Sequence, residues 1–531
     1  MATKPKASKK KKTDEAVKKV SKKVLSKLKG LAASVTDHEL VELMVQSMLK
    51  YGTYVIEERA VPDYRDGLKP SQRRILHTLH VLGLRSDGAV TKSSLVVGAC
   101  SGRFHPHGDM AIYGTMVNMA NPVNNKLETF ERKLPIHLIA GQGNWGTWSE
   151  PPAAPRYTEC KLSPYSDQAM LNKAYLHESV TPMVPNYLGK EPEPVVLPSL
   201  LPTLLLNGAS GIAVGVTCTI PPFKKEGVIK LVKQALGGTP VTAKDCEKHL
   251  EIGYSYGAVV LKEGSEFKKL YETGEGSINF ECKTERDPKA KKLYIIGLTP
   301  DFNFENVSTV KGVVKESGVG YEVRKDDAVK SCLDETGKGQ PLRIGITLKD
   351  NVPAKDFDAV CDRIIKKYLR KRKAFKDNVT ERSLKHVEGE VDTVENKFRS
   401  MTIPEIINEW TAWRIDLELK YLNHLKSQLE HQIWRLEVFR KAIAKLDVVF
   451  KVLKSKADDL DAALAKALKI PVEEAVVILD AQTRRLSRLS DAKLVEDIKA
   501  LKVKVKATEK HIKRPADKIT ADIDAFDMKK W

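Results

Sequence analysis

A mixed α/β architecture of several domains is predicted for this 531-residue chain, and three observations predict it. Short helical periodicities separated by turns fill residues 35–120. Apolar runs of strand length, punctuated by Gly and Pro, follow to about residue 350. A stretch free of Gly and Pro then runs from 405 to 470 between Pro404 and Pro471. Its apolar positions recur every three or four residues, the spacing of one helix face. The length has room for about three domains. Hydrophobic residues make up 42% and charged residues 30%, enough for packed cores and too apolar for a disordered polymer. No run approaches the roughly 18 apolar residues of a membrane span and no apolar signal region follows the start, so no membrane partner is expected.

Charge is the most informative bulk property: 89 basic against 69 acidic residues, a net +20. Residues 1–30 hold 12 Lys against Asp14 and Glu15, so half of the excess sits there. Residues 1–34 read as a solvated, disordered, lysine-rich tail, and such a tail still binds polyanions by counterion release. Nucleic acid is therefore the leading partner class. The seven cysteines are far apart and form no C-x-x-C pair, so neither a zinc finger nor a disulfide framework is expected.

Taken in order, an amphipathic helix starts after Asp37, a plausible cap. A second, 71–82, follows Lys69-Pro70, where proline suits a helix start. Residues 92–98 and 110–119 continue the series. Short helices and turns on a basic background suit a helix-turn-helix or winged-helix unit. The segments 135–140, 202–206 and 211–216 read as short strands. Further strands at 257–261, 292–298 and 342–348, then helices over 354–373, suggest a separate α+β domain. In the last third, apolar positions from Ile415 to Leu453 mark a helix of about 50 residues, roughly 75 Å long. A helix of that length needs a partner, and 496–513 is the natural return, which puts 472–494 at the tip. The expected result is a long antiparallel coiled-coil arm with a small apolar head; a plain coiled-coil oligomeriser fits the same segment.

Four motifs could carry chemistry. Gly141-Gln-Gly-Asn-Trp-Gly146 matches a dinucleotide fingerprint, but Pro151, Pro152 and Pro155 forbid the helix that fingerprint needs. His105-Pro-His107-Gly-Asp109 suits a metal site, a helix cap or a set of groups facing a phosphate. The stretch from Arg59 to Arg74 packs five cations into sixteen residues; these either pair with Asp63 and Asp66 or face a polyanion. Arg156-Tyr157-Thr-Glu159 follows a proline-rich loop. A Tyr beside an Arg is commonly unremarkable, yet a neighbouring guanidinium favours the phenolate and can neutralise a phosphate under attack.

Together these segments resemble the breakage-reunion subunit of type IIA DNA topoisomerases, the A subunits of DNA gyrase and topoisomerase IV. The matching pieces are Arg59-Ala-Val-Pro-Asp-Tyr-Arg-Asp-Gly-Leu-Lys-Pro, Arg73-Arg74, Phe104-His-Pro-His-Gly-Asp109, Gly141-Gln-Gly-Asn-Trp-Gly146, Arg156-Tyr157-Thr-Glu159 and Asn207-Gly-Ala-Ser-Gly-Ile212-Ala-Val-Gly215. They stand in the family's order, closely over about 35–235 and by layout alone at the C-terminus. The resemblance implies a winged-helix DNA-cleavage domain at 35–170, a tower-like α+β domain carrying an Ile wedge at 171–400, and a coiled-coil arm with a dimerisation head at 401–531. It implies that Tyr157 is the nucleophile forming a 5′-phosphotyrosyl bond, that Arg156 stabilises the phosphorane, and that Arg59 and His107 assist at the scissile region. Lys69, Arg73, Arg74 and His105 would hold the DNA backbone, and Ile212 would wedge a base step.

The resemblance further implies double-stranded DNA as substrate, a homodimer, and an A2B2 assembly with a B-type ATPase/TOPRIM subunit. That subunit would supply Mg²⁺ and bind ATP; no metal ligand set is expected here. The location implied is cytoplasmic, on nucleoid or viral DNA. The short C-terminal region leads to an expectation of relaxation or decatenation rather than supercoiling, and the lysine tail to one of a phage or viral source. Met110 and Gly114 stand where family members carry quinolone-anchoring groups, which implies poor quinolone sensitivity. The alternative function is a non-catalytic DNA-bridging or nucleoid-packing protein.

Overall fold

The computed structural model describes residues 40–122, 136–146, 151–254, 257–262, 266–304, 306–310, 313–337, 342–386, 388, 391–455, 459–480 and 490–526. The expected lysine tail and the Asp37 cap lie outside them. The chain divides at Val55 into two units. In the first, helix α1 spans Leu40–Val55. The second begins with a π-helical turn, Ile56–Ala60, and holds everything that follows.

Three short helices come next: α2 (Pro70–Val81), α3 (Ser93–Arg103) and α4 (Asp109–Met119). Pro70 opens α2, where its missing N–H costs nothing. The Lys69 N–H donates to Gln72 Oε1 at 3.0 Å, a side-chain cap. The helices bury Ile75, Leu76, Leu79, Val96, Ile112 and Met116 against one another. Beside them lies a four-stranded sheet in the order β1 (Thr91–Lys92), β4 (Glu159–Leu162), β3 (Ile139–Gln142) and β2 (Ala120–Pro122). All pairs are antiparallel except β2 with β3.

Residues 202–206 were expected as a strand and form the short helix Thr203–Asn207. A continuous apolar run has no period by which to tell a buried helix turn from a strand. Likewise 211–216 is a hairpin tip: β5 (Ala209–Ile212) turns back into β6 (Thr217–Ile220), with Ala213 N–H donating to the Val216 carbonyl at 2.8 Å. This hairpin is the edge of a five-stranded sheet completed by Arg370–Lys376, Glu275–Glu281 and Val259–Leu261, in that order. The expected helices over 354–373 end at Tyr368, because the basic segment Arg370–Lys376 is needed as that sheet's central strand. A second antiparallel sheet, with Lys292–Gly297 and Ile344–Leu348 at its centre, packs Leu293, Ile295, Ile344 and Ile346 onto helix Phe357–Tyr368.

The long helix, Ile403–Ile443, has 41 residues, about 60 Å at 1.5 Å each, and not the 50 expected. Its start is fixed by Thr402: the Glu405 N–H donates to Thr402 Oγ1, and the Thr402 N–H to Glu405 Oε2 at 2.7 Å. The helix ends without Gly or Pro because a small head claims the apolar residues beyond it. Val438, Phe439, Ala442 and Val449 pack with Leu464, Leu468 and Ile478. Helix Asp491–Lys513 returns antiparallel: ion pairs join Lys426 to Glu509, Glu437 to Lys502 and Arg440 to Asp491, one index rising as the other falls. The part of the tip at 481–489 lies outside the described residues. A last helix, Pro515–Ala525, was not foreseen.

Candidate active site

The Arg59–Arg74 segment is shaped by two buried carboxylates. Asp63 takes Arg65 Nε and the Arg382 backbone N–H at 2.9 and 2.8 Å. Burial works against its charge, but Arg65's charge and hydrogen bonds outweigh that and hold the carboxyl below its ordinary range. Asp66 is fully buried and grips Arg73 through two bonds of 2.6 and 2.9 Å. Gly67 makes the turn between them at φ +71°, and a Cβ there would stand 2.3 Å from the Leu204 nitrogen. Arg73 also donates to the Leu68 carbonyl and is 3% exposed. This corrects the expectation of a DNA-backbone contact: its guanidinium is turned inward and held by a carboxylate, so it shapes the loop and presents no charge to a ligand.

Other site residues form three groups. Arg59 is exposed on the π-helical turn. Arg74 pairs with Glu193 at 2.9 Å and lies 3.5 Å from His105 Nδ1. His105 stacks edge-on with His107 at 4.3 Å between ring centroids. His105 is 7% exposed and its pKa is pushed down to about 4, first by burial and then by His107, Arg74 and Arg59. It is therefore neutral at pH 7, a hydrogen-bonding group and not a cation. In the second group, Lys69 Nζ donates to the Ser210 carbonyl at 2.6 Å, at the base of the β5–β6 hairpin. Burial lowers its pKa. Lys69 also lines a cavity of about 340 Å³ with Gln72, Asn118 and Lys373. Ile212, on the same hairpin, is 82% exposed, an apolar side chain held out where the core gains nothing from it.

The third group is the Tyr157 turn. After Pro155, Tyr157 N–H donates to the Ala154 carbonyl at 2.9 Å, and β4 begins two residues later. The phenol is 64% exposed. The Arg156 guanidinium lies 4.8 Å from its ring centroid. The hydrogen bond and charge of Arg156 hold the phenol below its ordinary pKa. That raises the phenolate fraction and leaves a guanidinium beside any phosphate the oxygen meets.

The sequence reading missed what lies behind that turn: buried Ser93, Tyr113 and Thr158, spread over 65 residues with no pattern to join them. It also missed Glu193 and Arg382, partners of the cation loop. Among the described residues no group of His, Cys, Asp and Glu could hold a metal ion. The seven cysteines are buried and none is in a disulfide. No described helix is long and apolar enough to cross a membrane.

Buried neutral histidines give a pH dependence. His77, 7% exposed, is pushed down to about 4 by burial despite its bond to the Pro192 carbonyl. Between pH 6.5 and about 4 the unfolded chain binds protons that folded His77 and His105 refuse, so stability falls as pH falls. Each is expected to cost about 2 kcal/mol at pH 5 relative to pH 7. Urea denaturation at both pH values checks this, with His77→Gln expected to shrink the difference. Equal stability at the two pH values would refute it.

The described site thus presents an exposed Tyr–Arg pair, an apolar residue carried out on a hairpin and a loop rich in cations. The family model for the A subunit of DNA gyrase and topoisomerase IV matches residues 59–524, and the chain belongs to that family. It is 31% identical over 488 residues to the DNA gyrase A subunit of Nocardioides sp., covering 90% of this chain and 49% of that protein. To the DNA topoisomerase 4 A subunit of Salmonella typhimurium it is 31% identical over 475 residues, covering 88% and 58%. The DNA gyrase A subunit of Thermotoga maritima gives 31% over 454 residues, 84% and 52%. The chain thus spans about half the length of the curated relatives it matches.

Proposed function

We propose that this chain is the DNA-cleaving and resealing subunit of a type II DNA topoisomerase. The observation that carries the reading is the exposed Tyr157 phenol beside Arg156, in a member of this family. The phenolate oxygen attacks a backbone phosphorus, the bond to the deoxyribose 3′ oxygen breaks, and that oxygen leaves as a hydroxyl after taking a proton. The new 5′-phosphotyrosyl bond keeps the phosphodiester energy, so the reverse attack reseals the strand without ATP. Arg156 stabilises the charge on the five-coordinate phosphorus, and Arg59 and His107 assist at the scissile region. Lys69 and Arg74 hold the backbone, His105 contributes as a neutral donor, and Arg73 acts from behind.

In this reading residues 35–170 are a winged-helix cleavage domain, 171–400 a tower-like domain and 401–531 a coiled-coil arm with a dimer contact at its head. One tyrosine cuts one strand, so two copies act together, with a B-type ATPase/TOPRIM subunit in an A2B2 assembly on chromosomal or viral DNA. That subunit supplies Mg²⁺ and binds ATP. The test mixes the chain with Mg²⁺, plasmid and a B subunit proven to work with its own A partner. An SDS quench then reveals any protein covalently joined to DNA 5′ ends. An adduct on Tyr157 supports the reading, and its absence favours a DNA-bridging protein.

Ile212 supplies an independent check. Unstacking a base step costs a few kcal/mol, offset by the contacts a bent duplex makes. Ile212→Ala is expected to leave stability unchanged, reduce duplex bending measured by end-to-end energy transfer, and lower adduct yield about tenfold. Unaltered bending would remove the wedge role.

A further inference from the structure

Tyr157 has a difficulty that its exposure creates. An in-line attack needs the phenol oxygen, the phosphorus and the departing oxygen nearly collinear, yet this ring is 64% exposed and its cation–π neighbour, Arg156, is exposed too. Packing on the ring cannot set its direction, so the backbone that carries it must.

That backbone is held from beneath by three hydroxyls. Thr158, next to the nucleophile, is fully buried, and its Oγ1 lies 2.9 Å from Ser93 Oγ and 3.0 Å from the Tyr113 hydroxyl. Tyr113 in turn donates to the Ala153 carbonyl at 2.6 Å, on the other side of the turn. The hydroxyls thus clamp residues 153 and 158, which bracket Arg156-Tyr157. Helix α3 closes the arrangement: its first N–H groups, which have no partner within the helix, donate to the turn's own carbonyls. Ser93 N–H reaches Thr158 at 3.0 Å and Ser94 N–H reaches Pro155 at 3.1 Å. The glycine-rich loop lies alongside. Gly143, at φ +96°, puts a Cβ position 3.4 Å from the Tyr157 carbonyl oxygen, and buried Trp145 packs on the Tyr113 ring at 5.8 Å. The match to a dinucleotide fingerprint therefore has a local use as a platform under the turn.

We infer that the Ser93–Thr158–Tyr113 hydroxyl run is a positioning device that aims Tyr157 at the phosphate. The inference rests on the function proposed above. Each hydroxyl is buried and serves the next, so removing one takes a partner from its neighbour and loosens one end of the turn. A displacement of about 1 Å at a reacting atom can cost about a hundredfold in rate.

Thr158→Val removes the hydroxyl at nearly constant shape, Thr158→Ser retains it, and Tyr113→Phe keeps the ring against Trp145. The readouts are the single-turnover rate of adduct formation at saturating duplex, the duplex Kd and the melting temperature. Thr158→Val and Tyr113→Phe are expected to slow adduct formation at least about tenfold with Kd unchanged, and Thr158→Ser to restore most of the rate. The double variant should be no slower than the slower single one, because the hydroxyls act as a unit. A Thr158→Val rate equal to wild type, equal losses in Val and Ser, or a Kd that weakens in step with the rate would each overturn the inference. Should Thr158→Val fail to fold, Tyr113→Phe alone decides. No adduct from the wild type would remove the topoisomerase reading and this one with it, a result distinct from variants that cleave normally.

Discussion

Tyr157→Phe is expected to abolish covalent capture of DNA while leaving duplex binding and folding as they were. The substitution deletes one oxygen from a side chain that is 64% exposed, so surface statistics place the stability change within about 0.5 kcal/mol. What is lost is the atom proposed to bond to phosphorus. Removing a nucleophile from a site that acts as a unit costs on the order of 10⁴-fold or more, and here no adduct should be detectable after an SDS quench. Duplex affinity should survive, because in the proposed function Arg59, Lys69, Arg74 and the lysine-rich N-terminus supply the salt-dependent attraction and none of them is altered. Adduct formation that persists in the phenylalanine variant would move the nucleophile elsewhere in the chain.

Substituting Arg73 is expected to damage the fold and spare the DNA contact. Arg73 and Asp66 are 4% and 0% exposed at their side chains. Asp66 also accepts the backbone N–H groups of Leu68 at 3.0 Å and Leu197 at 2.9 Å, which ties the cation loop to a segment 131 residues away. Arg73→Leu strands a buried carboxylate, a change that costs about 3–5 kcal/mol out of a total of roughly 5–15. Arg73→Lys should recover part of this, since an ammonium meets the carboxylate without the two-pronged fork. Denaturant midpoints measure the loss. The slope of log binding constant against log salt should stay unchanged, whereas a residue that neutralises a phosphate lowers that slope by about one. A reduced slope with unaltered stability would return Arg73 to the DNA surface.

The two variants show where sequence reading succeeds and where it fails. Tyr157, Arg156 and Ile212 each stand in a local string whose order points to the family, and all three side chains are exposed. The helix start at Pro70 was equally local, set by the proline, whereas at the long helix the sequence reading marked only Pro404 and not the Thr402 cap beside it. Arg73 and Arg74 look alike in sequence as adjacent cations. One is buried on Asp66 and the other partly buried on Glu193, and the choice depends on strands and turns more than a hundred residues away. Sequence leaves His105 open as cation or neutral donor, and burial, a property of its surroundings, makes it neutral. The helix ending at Ile443 was overrun for the same reason: its apolar period continues, but the head packs around Phe439 and Val449 and bends the chain there.

The sequence alone therefore determined the family, the basic character and most of the order of helices and strands, since those depend on residue type and near neighbours. Tertiary structure alone decided which cations face outward, which histidines are neutral, and that Ser93, Tyr113 and Thr158 meet behind the nucleophile. Charge state and hydrogen bonding depend on desolvation and on partners brought in from afar, and neither is fixed until the chain has folded.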